Sequence, residues 1–498
     1  MTSFDSSAGQ IFAGNAWRPA ASPGRQAVID PATLEEVGRI ALVGPEEAEA
    51  LLAEAEAAQR GWAATDARTR AGLLHRVAAS IEAEGFEEIA RLMSREMGKP
   101  YPEAVGEMAN VAPVYRYMAE MARDEAGRIA GTTQAGSFQY ALYQPYGVSV
   151  HVLPYNFPIL LMSWTLAASL AAGNAAVIKP AEATSLSSLL FMRHFRHLPP
   201  GLVTCVTGGP ATGEALIRSR RSHIVACTGG VETARRVGLA CAEQLKPCLL
   251  EAGGNDAFLV MDSAPVEVAA AGAVCAAFHL SGQICTSAER FFVQAGVHDA
   301  FAEAFVRRTR ALRIGRGLEK SEIGPLVSEA ARAKVVRLVE DALAKGARLL
   351  TGGRVPPERN LGWFYEPTIL ADCTPEMALF REECFGPVAG LCKVADLEEA
   401  IRLANASDFG LGASLFTRDL AEAQRAAETL ETGMVWVNNP LIDNDALPFG
   451  GRKRSGLGRE LGRQGLDAFR QAKMVVIDAE PKIQDWWYPY PDAVFPSG

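Results

Sequence analysis

Between residues 148 and 251, short β-rich runs alternate with helical stretches, and no other feature of the chain limits its fold so strongly. The runs are Val148 to Leu153, Ala175 to Ile178, Leu202 to Thr207, Ile224 to Cys227 and Leu249 to Glu251. Between them lie helical segments at Ile159 to Ala172, Ser185 to Phe195, Thr212 to Arg218 and Glu232 to Glu243. Strand alternating with helix predicts a parallel sheet covered on both faces, and therefore an α/β fold. Ligands of such sheets bind beyond the carboxyl ends of the strands, where the turns of this segment fall.

Before this segment, from Pro45 to about Glu125, apolar residues recur at helical spacing, as in Ala48 to Gln59 and Arg70 to Glu84. Phe138 to Tyr143 alternates and precedes a Pro-Tyr-Gly turn, which predicts a strand of a projecting hairpin outside the core. A second α/β region is expected from about Asp256 to Gly450, with helices at Ala300 to Leu312 and Ala330 to Lys345. The chain closes with an expected strand, Met474 to Asp478, and an aromatic, proline-bearing tail, Asp485 to Phe495.

A chain of 498 residues, 49% of them apolar, buries enough surface for roughly two to four domains. The net charge of −9 argues against nucleic acid as a partner, and the basic runs Arg218 to Arg221 and Arg452 to Arg454 read as solvated surface. The N-terminus lacks a signal-like pattern and no apolar run reaches spanning length, so the reading is a soluble, unprocessed protein with no membrane partner. Nine cysteines without a CxxC pair fit a reduced cytoplasm. Seven scattered histidines include no HExxH and no zinc spacing, so no metal is expected.

The turn Thr207-Gly208-Gly209-Pro210-Ala211-Thr212-Gly213 has the outline of a phosphate loop but continues with Glu214 and Ala215 where Lys and Ser/Thr would stand. GxGxxG is also missing, and on their own these glycines read as turn residues. Four further segments are read together with it: Pro154-Tyr155-Asn156-Phe157-Pro158, Lys179-Pro180-Ala181-Glu182, Leu250-Glu251-Ala252-Gly253-Gly254 and Ser281-Gly282-Gln283-Ile284-Cys285. Glu383-Cys384-Phe385-Gly386-Pro387 and Pro448-Phe449-Gly450-Gly451 with Ser455-Gly456 complete the set. In this order and spacing, from about residue 20 to 480, the chain resembles the aldehyde dehydrogenase superfamily.

The resemblance implies a Rossmann-like NAD-binding domain from residues 1–124 and 145–253. It further implies an α/β catalytic domain at 254–455, and a small β oligomerisation element from 125–144 and 456–498 that serves homodimers or homotetramers. Cys285 matches the nucleophile; a free thiol is only a few per cent thiolate at neutral pH, so this role needs local activation. Asn156, with the backbone N–H of Cys285, matches the oxyanion hole, where one donor contributes about 3 kcal/mol. Glu251 matches the general base that hydrolyses the resulting thioester, and its place at the end of an apolar strand predicts a raised pKa.

Lys179 and Glu182 match the pair that holds the adenosine ribose, and a carboxylate there disfavours a 2′-phosphate, so NAD is preferred with some NADP use left open. Gly208, Gly213, Thr228 and Gly229 match positions near the adenine and pyrophosphate, and Glu383 and Phe385 match contacts to the nicotinamide ribose and ring. The substrate, a small aldehyde, should meet Phe157, Leu161, Trp164, Ile284, Thr286, Phe449 and the loop Asn439 to Leu447. No arginine stands near Leu161 to Thr165, which disfavours an ω-carboxylate substrate, and Asp443 and Asp445 suit a cationic or hydroxylated aldehyde. Gly230, Leu280, Asn255 and Tyr155 depart from frequent family residues. Two other readings stay open: a cysteine esterase or acyl transferase without redox chemistry, and a non-catalytic structural relative. The tail Asp485 to Tyr490 is expected to pack on protein, reaching a neighbouring subunit.

Overall fold

The computed structural model describes residues 4–496. Five parallel strands, Val148–Val152, Ala175–Lys179, Val203–Cys205, Ile224–Gly229 and Cys248–Ala252, form the centre of the first sheet. In space they run third, second, first, fourth, fifth, so the order reverses between Val148–Val152 and Ile224–Gly229. Gln10–Ala13 and Ala16–Pro19 extend one edge antiparallel, and Gly456–Leu457 pairs antiparallel with Cys248–Ala252 at the other, giving eight strands.

These strands form because their residues are apolar on both faces, as helices on each side require. Ala175–Lys179 is buried throughout. The helical N-terminal region comprises α1 (Pro45–Ala64), α2 (Ala67–Glu84), α3 (Glu87–Met97), α4 (Tyr101–Ala109) and α5 (Val111–Asp124). Pro45 starts α1 where its missing N–H is harmless, and Asp66 caps α2 by accepting from the Thr69 N–H. Next come α6 (Leu160–Ala172), α7 (Ser185–Phe191), α8 (Pro210–Arg218) and α9 (Val231–Ala242). Every residue of α6 except its last is buried, which explains why it is apolar all round. The helix expected over Ser185 to Phe195 tightens after Phe191 into a 3-10 turn, Met192–Phe195.

Only three residues, Gly253, Gly254 and Asn255, carry the chain from the first sheet into Asp256–Val260 of the second. That sheet has seven strands, six of them parallel, with Arg348–Thr351 antiparallel at one edge. It is covered by α10 (Val266–Phe278), α11 (His298–Thr309) and α12 (Glu329–Ala344), and by two separate apolar clusters, one on each face.

A third sheet joins Gly127–Ile129, Ser137–Pro145 and Arg470–Asp478, the last two antiparallel from Arg470 opposite Pro145 to Asp478 opposite Ser137. It leaves Phe138, Met474, Val476 and Ile477 exposed. Gly456–Leu457, grouped with this element by the sequence boundaries, belongs instead to the first sheet. The tail's Trp486, Tyr488 and Phe495 are exposed on the single chain. Among the described residues no helix is long and apolar enough to cross a membrane.

Candidate active site

A cavity of about 900 Å³ opens where the strand order of the first sheet reverses. Val152, Lys179, Thr228 and Glu251, at the carboxyl ends of four strands, line it, and Cys285 and Glu383 line it from the second sheet's side. The position is the one that doubly wound sheets reserve for ligands.

The turn that presents Cys285 is wound left-handed. Leu280, Ser281 and Gly282 have φ of 52°, 57° and 71°. Only glycine fits at the third position, because a Cβ there would stand 2.2 Å from the Gly386 carbonyl oxygen. Two non-glycine residues in this region cost roughly 1–2 kcal/mol each. Side chains hold them there: Ser281 Oγ donates to the Gly324 carbonyl at 3.0 Å, and Gln283 Oε1 accepts from the Val327 N–H at 3.0 Å. The short link between the sheets then brings Gly254 against the cysteine, so close that a Cβ on Gly254 would lie 2.2 Å from the Cys285 carbonyl oxygen.

Cys285 is half-buried. Burial, and then the carboxyls of Glu251, Asp256, Glu383 and Asp443, push its thiol well above the usual range. Glu251 is 3% exposed and lines the same cavity as that thiol. Burial, and next the Glu460 carboxyl, raise Glu251 well above an ordinary glutamate. Asn156 reaches across to the same turn, donating from Nδ2 to the Gln283 carbonyl at 3.0 Å. Asn156 also lines the cavity. The three residues come from three elements: the loop after Val148–Val152, the end of Cys248–Ala252 and the left-handed turn.

At the other end of the cavity, Lys179 Nζ stands 3.7 Å from the Glu182 carboxylate. Burial lowers the lysine's pKa and the carboxylate opposes that shift. Gly213, Thr228 and Gly229 line the cavity; Gly208 does not, and packs instead against Thr212. Glu383, pushed up to about 8 by burial, accepts from the Gly254 N–H at 3.0 Å. Phe385 adopts φ 52° and its ring meets the Tyr155 ring edge-on at 5.9 Å.

Of the side chains expected around the aldehyde, Leu161 lines this cavity. Trp164 and Phe449 pack on each other with ring centres 4.7 Å apart, and are 4% and 5% exposed. Phe157 lies beneath the Lys99 ammonium, Ile284 packs with Met97 and Leu280, and Thr286 is buried. Among the described residues no group of three or more His, Cys, Asp or Glu is placed to hold a metal ion.

Three acidic residues that sequence reasoning passed over complete the arrangement. Buried Glu289 accepts from the Cys384 and Phe385 N–H groups at 2.8 Å and from Asn255 Nδ2 at 2.5 Å, fixing the turn that carries Glu383. Glu460, pushed up to about 8 by burial, accepts weakly from Thr228 at 3.5 Å. Glu107 accepts from the Ile159 and Leu160 N–H groups at the start of α6. Glu107 lies in a helix, Glu289 in the strand Ala288–Gln294 and Glu460 outside any helix, and none stands in a motif that marks it.

The profile of the aldehyde dehydrogenase family matches residues 17–475. A glutarate-semialdehyde dehydrogenase of Pseudomonas putida is 37% identical over 481 residues, covering 94% of this chain and 97% of that protein. A betaine aldehyde dehydrogenase of Cereibacter sphaeroides is 39% identical, covering 91% and 94%. Among solved structures, the betaine aldehyde dehydrogenase of Staphylococcus aureus in complex with NAD+ superposes with a TM-score of 0.93 at 29% identity, over 97% of each chain. An NADP-dependent enzyme of Escherichia coli gives 0.91 at 36% identity, over 94% of this chain and 98% of that one.

Proposed function

Because this chain belongs to the aldehyde dehydrogenase family, we propose that it oxidises an aldehyde to a carboxylic acid with NAD, through a thioester on Cys285. The observation that carries this reading is the convergence of Cys285, Asn156 and Glu251 on one cavity whose far end holds Lys179 and Glu182. The cavity's size suits an organic cofactor. Its two ends offer a ribose-binding carboxylate, Glu182, and a second one, Glu383, beside the reacting thiol, which fits a dinucleotide. When bound, NAD supplies the hydride acceptor that turns the adduct on Cys285 into a thioester.

The chain's own residues perform the remaining work. Cys285 Sγ passes its proton to the Glu251 carboxylate as it attacks the aldehyde carbon, and the carbonyl oxygen becomes an alkoxide. The side-chain amide of Asn156 and the Cys285 backbone N–H stabilise that charge. Glu251 then releases that proton to solvent, and the burial that raises its pKa makes its carboxylate a stronger base than an ordinary glutamate. It removes a proton from the water that attacks the thioester carbonyl, and the acid leaves as Sγ is restored.

Glu182 beside the adenosine site favours NAD over NADP, since a 2′-phosphate would meet a carboxylate already 3.7 Å from its counter-ion. Asp443 puts acid near the thiol and favours a cationic or hydroxylated aldehyde. The exposed apolar residues of the third sheet support a homodimer or homotetramer. Mixing the protein with NAD and a panel of aliphatic, aromatic, amino and acid aldehydes, beside a Cys285→Ala control, tests the reading. NADH formation that disappears in the control is expected. Ester hydrolysis without NADH would favour the hydrolase reading instead.

A further inference from the structure

We propose that Lys99, Glu103 and Glu107 are positioning residues that hold the Asn156 loop and the Cys285 turn in register, each by a contact outside the cavity. The proposal rests on the roles given above to Asn156 and Cys285.

Glu103 and Glu107 are four residues apart on α4 and so share one face of it. Glu107 Oε1 accepts from the Ile159 N–H at 2.8 Å and the Leu160 N–H at 3.0 Å. These donors belong to the first turn of α6, directly after Asn156-Phe157-Pro158, and that turn has no side-chain cap of its own. The second Glu107 oxygen bonds Lys99 Nζ, and neither side chain is exposed. The same ammonium lies 4.7 Å from the centre of the Phe157 ring, one residue from Asn156.

One turn earlier on α4, both Glu103 oxygens accept from the Leu280 N–H at 3.2 Å. Leu280 begins the left-handed run, Leu280 to Gly282, that leads into Cys285. The Asn156 bond to the Gln283 carbonyl closes the circuit. α4 therefore grips the oxyanion loop with one carboxylate and the cysteine turn with the other, although the two loops are 127 residues apart in the chain. A buried ion pair is a poor source of stability by itself, because desolvation offsets its attraction. Here the acceptor oxygens are spent on backbone donors at both halves of the site, which a merely structural pair would not need.

The test is a double-mutant cycle. Glu107→Gln, paired with Lys99→Met so that no cation is stranded, is measured in the native background and in Asn156→Ala. The expected result is a loss of about tenfold in kcat/KM for aldehyde natively and of less than about twofold in Asn156→Ala, because the effect runs through Asn156. Equal losses in both backgrounds would overturn the proposal. Should the paired variant not fold, Glu103 gives a second route. Glu103→Ala is expected to slow the alkylation of Cys285 by iodoacetamide, and Glu103→Gln, which keeps an acceptor for Leu280, to restore it. Unchanged alkylation in Glu103→Ala would also overturn it. Activity that survives Cys285→Ala would instead refute the underlying reading of the site.

Discussion

Glu460 is the charged side chain that acts most strongly on Glu251: both are buried, and each keeps one carboxyl oxygen without a hydrogen-bond partner among the described residues. Two like groups so placed resist ionising together. Replacing Glu460 with Gln removes the repulsion and lowers the pKa of Glu251. Its basic form then persists to lower pH, so the rising limb of kcat against pH should move to the acid side. A limb that stays where it was would show that burial alone sets the basicity of Glu251.

The thiol of Cys285 is held up by burial and by four carboxyls. In the protein without cofactor, its alkylation by iodoacetamide should be at least about tenfold slower at pH 7 than that of a free thiol, whose pKa is about 8.5, and should keep rising past that value. Mass spectrometry of the labelled Cys285 peptide gives the rate. A plateau already reached near pH 7 would contradict the acidic surroundings described here.

Glu289 binds two consecutive N–H groups of the turn carrying Glu383 and Phe385. Glu289→Ala leaves those donors buried and frees Phe385 from its left-handed conformation. Losing a charged hydrogen-bond partner of this kind costs about 1.5–3 kcal/mol, so the affinity for NAD should fall roughly tenfold or more. Calorimetric titration with NAD measures it, and an unchanged affinity would mean that the turn keeps its shape without Glu289.

Gly282→Ala places a methyl group 2.2 Å from the Gly386 carbonyl at a φ of 71°. The cysteine turn must shift to admit it, at a cost of at least about 1–2 kcal/mol. The expected outcome is a lower Tm and a large loss of kcat, with NAD binding kept, since Gly282 does not line the cavity. A variant with native kcat would show that the turn need not be wound this way.

Much of the fold was legible because strands buried on both faces must be apolar throughout. Ala175 to Ile178 and Ile224 to Cys227 therefore read as strands wherever they are met. Ends were less legible: Leu202 to Thr207 contributes only Val203–Cys205 as a strand, and past it the Thr207 carbonyl accepts from the Val43 N–H. The reactive residues were legible through their motifs. Glu103, Glu107 and Glu289 were not, because a carboxylate that binds distant backbone N–H groups leaves no local pattern, and neither was Glu460, which meets Thr228 from 232 residues away. The aldehyde pocket was read least well. Whether Trp164 faces a cavity or packs on Phe449 depends on where a loop nearly three hundred residues later comes to rest.

The antiparallel pairing of Gly456–Leu457 with Cys248–Ala252 bears on how the protein is made. On the ribosome, the strand that carries Glu251 emerges some two hundred residues before the one that covers its open side. Throughout that interval the nascent sheet ends in a row of apolar residues with unpaired N–H and C=O groups, the kind of border that recruits foreign strands. Translation must run nearly to its end before this border is sealed, so conditions that slow elongation or truncate the product after residue 252 should yield aggregates, not a soluble half-enzyme.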